Sequence, residues 1–368
     1  MQAKKHKIAL VGYGFNQGGL EKVMSTLSVY FGEMGIDVHN IIFVDDIGYP
    51  YYGTMVNIGK MKLGQNKFLE KLKLFLFFYK YIKEKQFDYI IDFRYRVKPF
   101  QEYIFSKLVY NSRTIYTVHN SRLQTYLPNS KFLTQQICKG KHAVVCVSNG
   151  VKILVEEKFQ LQNCVLIYNP IDLDNIKLLA NDEIEIKEPY IISAGRFNAN
   201  NVKQFDELII AYSKSNLPQK GISLVILGDG ELNNFYKEAA MKSEFADKIH
   251  ILGFKRNPYK YFKNALFLVL CSKHEGFGMT LIEALACETP VISFDCFSGP
   301  NEIITNKENG LLVENQNFEK LIRAMNLFVE DTLLYNQCKN NSLKSIERFS
   351  IEKIGKQWLD LMGITIYS

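Results

Sequence analysis

The sequence predicts an α/β protein made of two doubly wound, Rossmann-like domains facing each other across a cleft. Three observations carry that prediction. Short runs rich in β-branched and aromatic residues alternate with longer segments of helical period, the pattern of βα units on a parallel sheet. The pattern occurs twice, on either side of a turn at Asn169-Pro170-Ile171-Asp172 and a polar segment from Asn181 to Pro189. At 368 residues the chain is too long for most single cores and suits two domains of ordinary size.

In chain order, the first set of strands is expected at Lys7–Gly12, Val38–Val44, Tyr89–Phe93, Thr114–Val118, Ala143–Val147 and Val165–Tyr168. The second set is expected at Tyr190–Ala194, Ser223–Leu227, His250–Leu252, Leu266–Cys271 and Pro290–Phe294. Asn-Pro favours a turn, so the first domain is expected to span residues 1–171 and the second 172–349. In the remaining segment, 350–368, Ile351, Ile354, Trp358 and Leu361 recur at helical spacing. This predicts an amphipathic helix with a partner face, a candidate to pack back on the first domain.

Composition narrows the class. With 47% hydrophobic and 23% charged residues this is a folded chain. No opening apolar segment resembles a signal peptide, and no run of about 20 apolar residues is available to span a bilayer. The longest apolar stretch, Leu72 to Ile82, is interrupted by Lys73 and Lys80. Seven cysteines without Cys-x-x-Cys spacing read as reduced core residues of a cytoplasmic protein. Six scattered histidines give no zinc spacing, so no metal is expected. Much of the net charge of +7 lies between Lys60 and Lys85, where eight lysines stand against Glu70 and Glu84. Interleaved aromatics make that stretch a candidate for an anionic membrane surface rather than nucleic acid. A peripheral location on the inner face of the cell membrane would follow.

Open α/β sheets bind ligands beyond the carboxyl ends of their strands, and the chemical candidates fall there. The run Ser272 to Leu285 follows an apolar strand and places Glu275 and Glu283 eight positions apart around a glycine-flanked turn that opens a helix. Helix-start N–H groups favour an anion, while carboxylates beside them suit hydroxyls; together these describe a sugar nucleotide. Glu283 has a structural competitor, because Thr280-Leu281-Ile282-Glu283 matches a capping box. Gly195-Arg196 ends the first strand of the second domain, and Lys203 opens the next helical stretch; this fork and point charge suit two phosphates, or are solvated cations. In the first domain, Gly12-Tyr13-Gly14 with Gly18-Gly19, followed by Asp45 and Asp46, imitates a dinucleotide fingerprint at the wrong spacing. Gly18 and Gly19 would let backbone approach a diphosphate; a ligand-free glycine loop is the plain alternative. His119 ends a strand and is a candidate to face the cleft. Between Lys60 and Lys85 the face Phe68, Leu72, Phe75, Tyr79 and Ile82 is expected to meet the sheet, leaving Leu74, Phe77, Phe78 and Tyr81 as an additional apolar set for an interfacial surface.

With these residues located, the chain resembles the retaining glycosyltransferases of the GT-B fold, in the large bacterial family four (group 1 glycosyltransferases). The resemblance is carried by Glu275 to Glu283, similar to the E-x7-E motif, by Ala284 to Ile292, by Ser298-Gly299-Pro300-Asn301-Glu302-Ile303, and by Leu227-Gly228-Asp229-Gly230-Glu231-Leu232. It is thinner in the first domain, at Gly18 to Val23, Val147-Ser148 and Asn169 to Asp172. Two departures stand out: Lys203 follows Arg196 by seven positions, and Cys287-Glu288 replaces a stretch where glycine is common.

The resemblance implies a role for each candidate. Glu275 would bind donor-sugar hydroxyls, with backbone N–H groups of Phe277, Gly278 and Met279 near the sugar and phosphates. Glu283 would hold the ribose hydroxyls, Arg196 and Lys203 the diphosphate, and Gly19 would supply backbone from the first, acceptor-side domain. His119 would lie by the transferred sugar and acceptor, and the base near Gly253, Phe254 and Lys255. The implied activity is metal-independent, retaining transfer from a nucleotide diphosphate donor, a UDP-sugar in the first instance, to a glycan or lipid-linked acceptor in capsule or lipopolysaccharide assembly. No cofactor is expected. A sugar-nucleotide epimerase or hydrolase of the same fold, a nicotinamide oxidoreductase, and an inactive sugar-binding partner subunit are the rivals.

Overall fold

A computed structural model describes residues 5–16, 18–62 and 67–366. The chain divides into two compact units, Met1–Pro170 with Ile351–Ser368, and Ile171–Ser350.

The first unit is built on seven parallel strands: β1 Lys7–Gly12, β2 Asp37–Ile42, β3 Thr54–Asn57, β4 Tyr89–Asp92, β5 Thr114–Val118, β6 Ala143–Cys146 and β7 Cys164–Leu166. Their order is β3-β2-β1-β4-β5-β6-β7. The second unit has β8 Tyr190–Ala194, β9 Ser223–Leu227, β10 Ile249–Ile251, β11 Leu268–Leu270, β12 Val291–Phe294 and β13 Gly310–Val313, ordered β10-β9-β8-β11-β12-β13. Both orders reverse direction beside the first strand of the unit, between β1 and β4 and between β8 and β11. Loops leaving those strands diverge there, which opens a crevice at each switch point.

Most strands fall where β-branched runs predict them. Edge strands β3 and β13 have no counterpart in the sequence reading: each is four residues long, and β3 is not an apolar run. The last helix, Ile351–Leu361, belongs to the first unit, burying Ile354 and Trp358; His142 Nε2 lies 2.7 Å from the Leu361 carbonyl. At the ends of the second unit Ile171 N donates to Phe349 O at 2.8 Å.

Helix Lys67–Lys85 corrects one expectation. Phe78 is fully buried and Ile82 nearly so, with Leu74, Phe75, Phe77 and Tyr81 packed against the same core. Leu72 and Tyr79, expected on the sheet side, are 46% and 39% exposed and share an outer stripe with Leu69 and Leu76. Both faces of this helix are apolar, so periodicity alone does not choose between them. Residues 63–66 of the basic stretch, and the side chains of Lys67 and Phe68, lie outside what is described.

Candidate active site

In the second unit the loops leaving β8, β9 and β10 are tied to one another. Gly195 N donates to Leu227 O at 2.9 Å, Phe197 N to Asp229 O at 2.9 Å, and Gly228 N to Gly253 O at 3.0 Å. Arg196 is therefore carried on a braced turn, next to the Gly228-Asp229-Gly230 loop and the start of Gly253-Phe254-Lys255. Its side chain is exposed.

Across the switch point, the residues on either side of Lys203 are stitched to the segment that follows β11. Gln204 Nε2 donates to Cys271 O at 2.7 Å, and Lys273 N to Val202 O at 2.9 Å. Asn201 absorbs the long spacing from Arg196: it adopts a left-handed backbone, accepts from Gln204 N and the Tyr236 hydroxyl, and donates to Asp206. The result delivers Lys203 Nζ to 2.6 Å from Glu275 Oε1. A Cβ on Gly195 would stand 2.9 to 3.1 Å from the Lys203 stem, so the glycine clears the route of that side chain.

The loop carrying Glu275 is clamped from β12. Ser298 Oγ donates to Gly276 O at 3.0 Å. Gly299, at φ 97°, lies under the Phe277 carbonyl, where any Cβ would approach to 2.0 Å. Phe277 is buried edge-on against Phe349, 5.2 Å between ring centres. Helix Met279–Ala286 starts from Gly278, whose φ is 105°. This corrects the capping-box reading: the left-handed glycine opens the helix two residues early, Thr280 lies inside it, and Glu283 is its fifth residue, too far along to cap. Glu283 is buried without that task. The first-turn N–H groups at Met279 and the positive helix end lie beside Glu275 in the chain.

Cys296, beyond β12, is a neighbour that the sequence reading left among core cysteines. Burial pushes its thiol up to about 12, with Glu275 adding to the rise and Lys203 opposing it. Its position just past a strand end was the available signal.

In the first unit Gly18, at φ 118°, precedes helix Gly19–Glu33 after the β1 loop. The dinucleotide-like features have local uses instead: Asn16 Nδ2 donates to Asp46 Oδ1 at 2.6 Å, and Asn57 Nδ2 to Asp45 Oδ1 at 2.7 Å. His119 follows β5, its ring 5.6 Å from that of Phe93 and 6.1 Å from that of Tyr126. Both ring nitrogens are shut off from solvent and make no well-formed hydrogen bond among the described residues, with Asn169 the polar side chain beside them. Burial, reinforced by the Arg96 charge and opposed by Asn169, lowers the imidazole to about 3, so the ring is neutral near pH 7.

Beneath His119 lies a charge network absent from the sequence reading. Arg94 binds Asp92 through Nε and Nη2, each at 3.0 Å, and Glu102 through Nη2 at 2.9 Å. Arg96, 1% exposed, donates to main-chain oxygens of Asp92, Arg94, Thr117 and Tyr126. The signal was three charged residues at alternate positions, 92, 94 and 96, where a buried strand ends at the switch point.

A family model described as "Glycosyl transferases group 1" matches residues 176–345, and one described as "Glycosyltransferase Family 4" matches residues 17–175. The chain belongs to the group 1 glycosyltransferases. This glycosyltransferase is 29% identical over 364 residues to N-acetylgalactosamine-N,N'-diacetylbacillosaminyl-diphospho-undecaprenol 4-alpha-N-acetylgalactosaminyltransferase of Campylobacter jejuni, covering 96% of this chain and 98% of the relative. Its GT-B fold matches that of a Rickettsia africae glycosyltransferase, with a TM-score of 0.76 at 23% identity over 98% of both chains. Anabaena HepE in complex with UDP-glucose is similar too, with a TM-score of 0.75 at 17% identity over 97% of this chain and 99% of that one. Among the described residues of this glycosyltransferase, no helix is long and apolar enough to cross a membrane.

Proposed function

We propose that this glycosyltransferase moves a hexose-type sugar from a nucleoside diphosphate, a UDP-sugar in the first instance, to a hydroxyl of a glycan or lipid-linked saccharide during cell-envelope polysaccharide assembly. Anomeric configuration is retained and no divalent metal is required. The observation that carries this reading is the contact of Lys203 Nζ with Glu275 Oε1 at the β8/β11 switch point, next to a helix start. A cation suited to phosphate and a carboxylate suited to sugar hydroxyls are adjacent there, at the end of the sheet where ligands bind.

Departure of the leaving group puts negative charge on the diphosphate and positive character on the sugar. Arg196, Lys203 and the first-turn N–H groups of helix Met279–Ala286 stabilise the former, electrostatic stabilisation being commonly the largest single catalytic contribution. Glu275 orients the sugar, Glu283 the ribose, and Gly253 to Lys255 the base. Gly18 and Gly19 offer backbone, and neutral His119 meets a hydroxyl of the transferred sugar or acceptor. A lipid-linked acceptor is supported by the diphospho-undecaprenol in the name of the Campylobacter relative, and a uridine donor by the ligand of HepE. The stripe Leu69, Leu72, Leu76 and Tyr79 among lysines fits cytoplasmic, peripheral attachment to an anionic membrane.

The test is transfer from radiolabelled UDP-, GDP- and ADP-sugars to extracted lipid-linked saccharides, with and without a chelator, followed by the anomeric configuration of the product. Donor consumption that ignores the acceptor would mark a hydrolase or epimerase instead. Normal turnover by Glu275→Ala or Arg196→Ala would remove the site assignment.

A further inference from the structure

We propose that Arg96 is a positioning residue for His119, its guanidinium tying the end of β4, the end of β5 and the 120–126 loop into one frame around the imidazole. The inference rests on the reading that His119 meets the sugar or acceptor.

The geometry is specific. Arg96 Nη1 donates to Asp92 O at 3.2 Å and Arg94 O at 3.1 Å, Nη2 to Thr117 O at 2.6 Å, and Nε to Tyr126 O at 2.6 Å. Thr117 lies two residues before His119, and Tyr126 supplies one aromatic wall of the imidazole. Phe93, the other wall, sits between the two β4-side carbonyls that Arg96 holds. The guanidinium carbon also lies over the Tyr116 ring, 4.8 Å from its centre, a cation–π contact. The segments that carry Phe93, His119 and Tyr126 are therefore fastened by one side chain.

Part of what Arg96 does is structural: its Nη1 lies 3.6 Å from Asp92 Oδ2, a fully buried carboxylate, and an apolar side chain would leave that charge and four carbonyls unmet. A purely structural role still leaves one fact without a use. The imidazole it frames keeps both nitrogens buried with no well-formed hydrogen bond among the described residues, Asn169 being a polar side chain beside them, and an unmet polar group there costs about 1–3 kcal/mol. A site kept at that cost is explained if a ligand hydroxyl completes it. A neutral imidazole can both donate to and accept from such a hydroxyl, provided it is held in place.

Lysine at position 96 would keep the charge but lose the planar five-donor fork. In the full-length protein, Arg96→Lys is expected to lower kcat about 10- to 100-fold, the scale of a misplaced reacting group, while donor KM stays within about threefold. Combined with His119→Ala, it should add no further loss, as for two residues acting through one group. Normal kcat in Arg96→Lys beside a severe loss in His119→Ala overturns this inference alone, as do losses that multiply in the double variant. Normal transfer by His119→Ala overturns the underlying role of His119 and the inference with it. Should Arg96→Lys fail to fold, nitrogen NMR of the unmodified protein decides. A single fixed neutral tautomer at His119 supports the frame, and interconverting tautomers overturn it.

Discussion

Lys203 and Glu275 neutralise each other at 2.6 Å although their strands, β8 and β11, meet only at the point where the sheet reverses its order. The pair is mostly buried, at 16% and 12% side-chain exposure; on the proposed reading a donor replaces each partner with its own chemistry, phosphate on the lysine and hydroxyl on the glutamate. Lys203→Met should therefore weaken UDP binding by roughly tenfold or more, about 1.4 kcal/mol, in calorimetric titration. Glu275→Gln should leave UDP affinity within a few fold yet abolish most transfer. Equal loss of UDP affinity in both variants would contradict this division of labour.

Glu288 explains one departure from the family pattern. It follows the Cys287 cap of helix Met279–Ala286 at φ 59°, with Thr289 N donating back to Ala284 O at 3.0 Å. That is the left-handed position after a helix, which glycine occupies at least cost. Glu288→Gly should raise stability by about 1 kcal/mol in urea unfolding with transfer unchanged. A loss of stability would mean that the glutamate side chain has a task of its own.

The buried imidazole predicts an acid limb. His119 titrates near 3 in the folded chain and near its ordinary 6.5 when unfolded, so the unfolded state binds more protons between those values. Stability should then fall as pH drops from about 6.5 towards 3, by at most roughly 1.4 kcal/mol per unit from this group, and be insensitive to it above. His39, also lowered by burial, adds to the same limb. Urea unfolding of His119→Phe from pH 7 to 4 should give a shallower slope than the unmodified chain; equal slopes would refute the assignment.

The outer stripe of helix Lys67–Lys85 lets the proposed membrane attachment be tested apart from folding. Leu72→Asp with Leu76→Asp should cut co-sedimentation with vesicles containing phosphatidylglycerol several-fold, while thermal stability holds, because both side chains are exposed. Retained sedimentation would dismiss the stripe as an attachment surface.

How much of this was legible follows from what each residue needs. Arg196 and Glu275 follow strands and Lys203 precedes a helix, and those boundaries can be read from β-branched runs and helical period. The Lys67–Lys85 face was not legible, because Leu72 and Phe78 are equally apolar and only the neighbouring core decides which turns inward. Thr280 presented a capping sequence that the left-handed Gly278 pre-empts, a matter of backbone dihedrals. Arg96 escaped notice because charged residues in a loop ordinarily face water, and its four acceptors are carbonyls, which every residue possesses.

The return of helix Ile351–Leu361 to the first unit bears on biosynthesis. A chain made from its amino terminus usually folds domain by domain as it emerges. Here the second unit, Ile171–Ser350, is made in full before the first, whose helix Ile351–Leu361 follows it in the chain. Until then the surface that receives Ile354 and Trp358 stays bare, so a nascent or carboxyl-truncated product is an aggregation hazard.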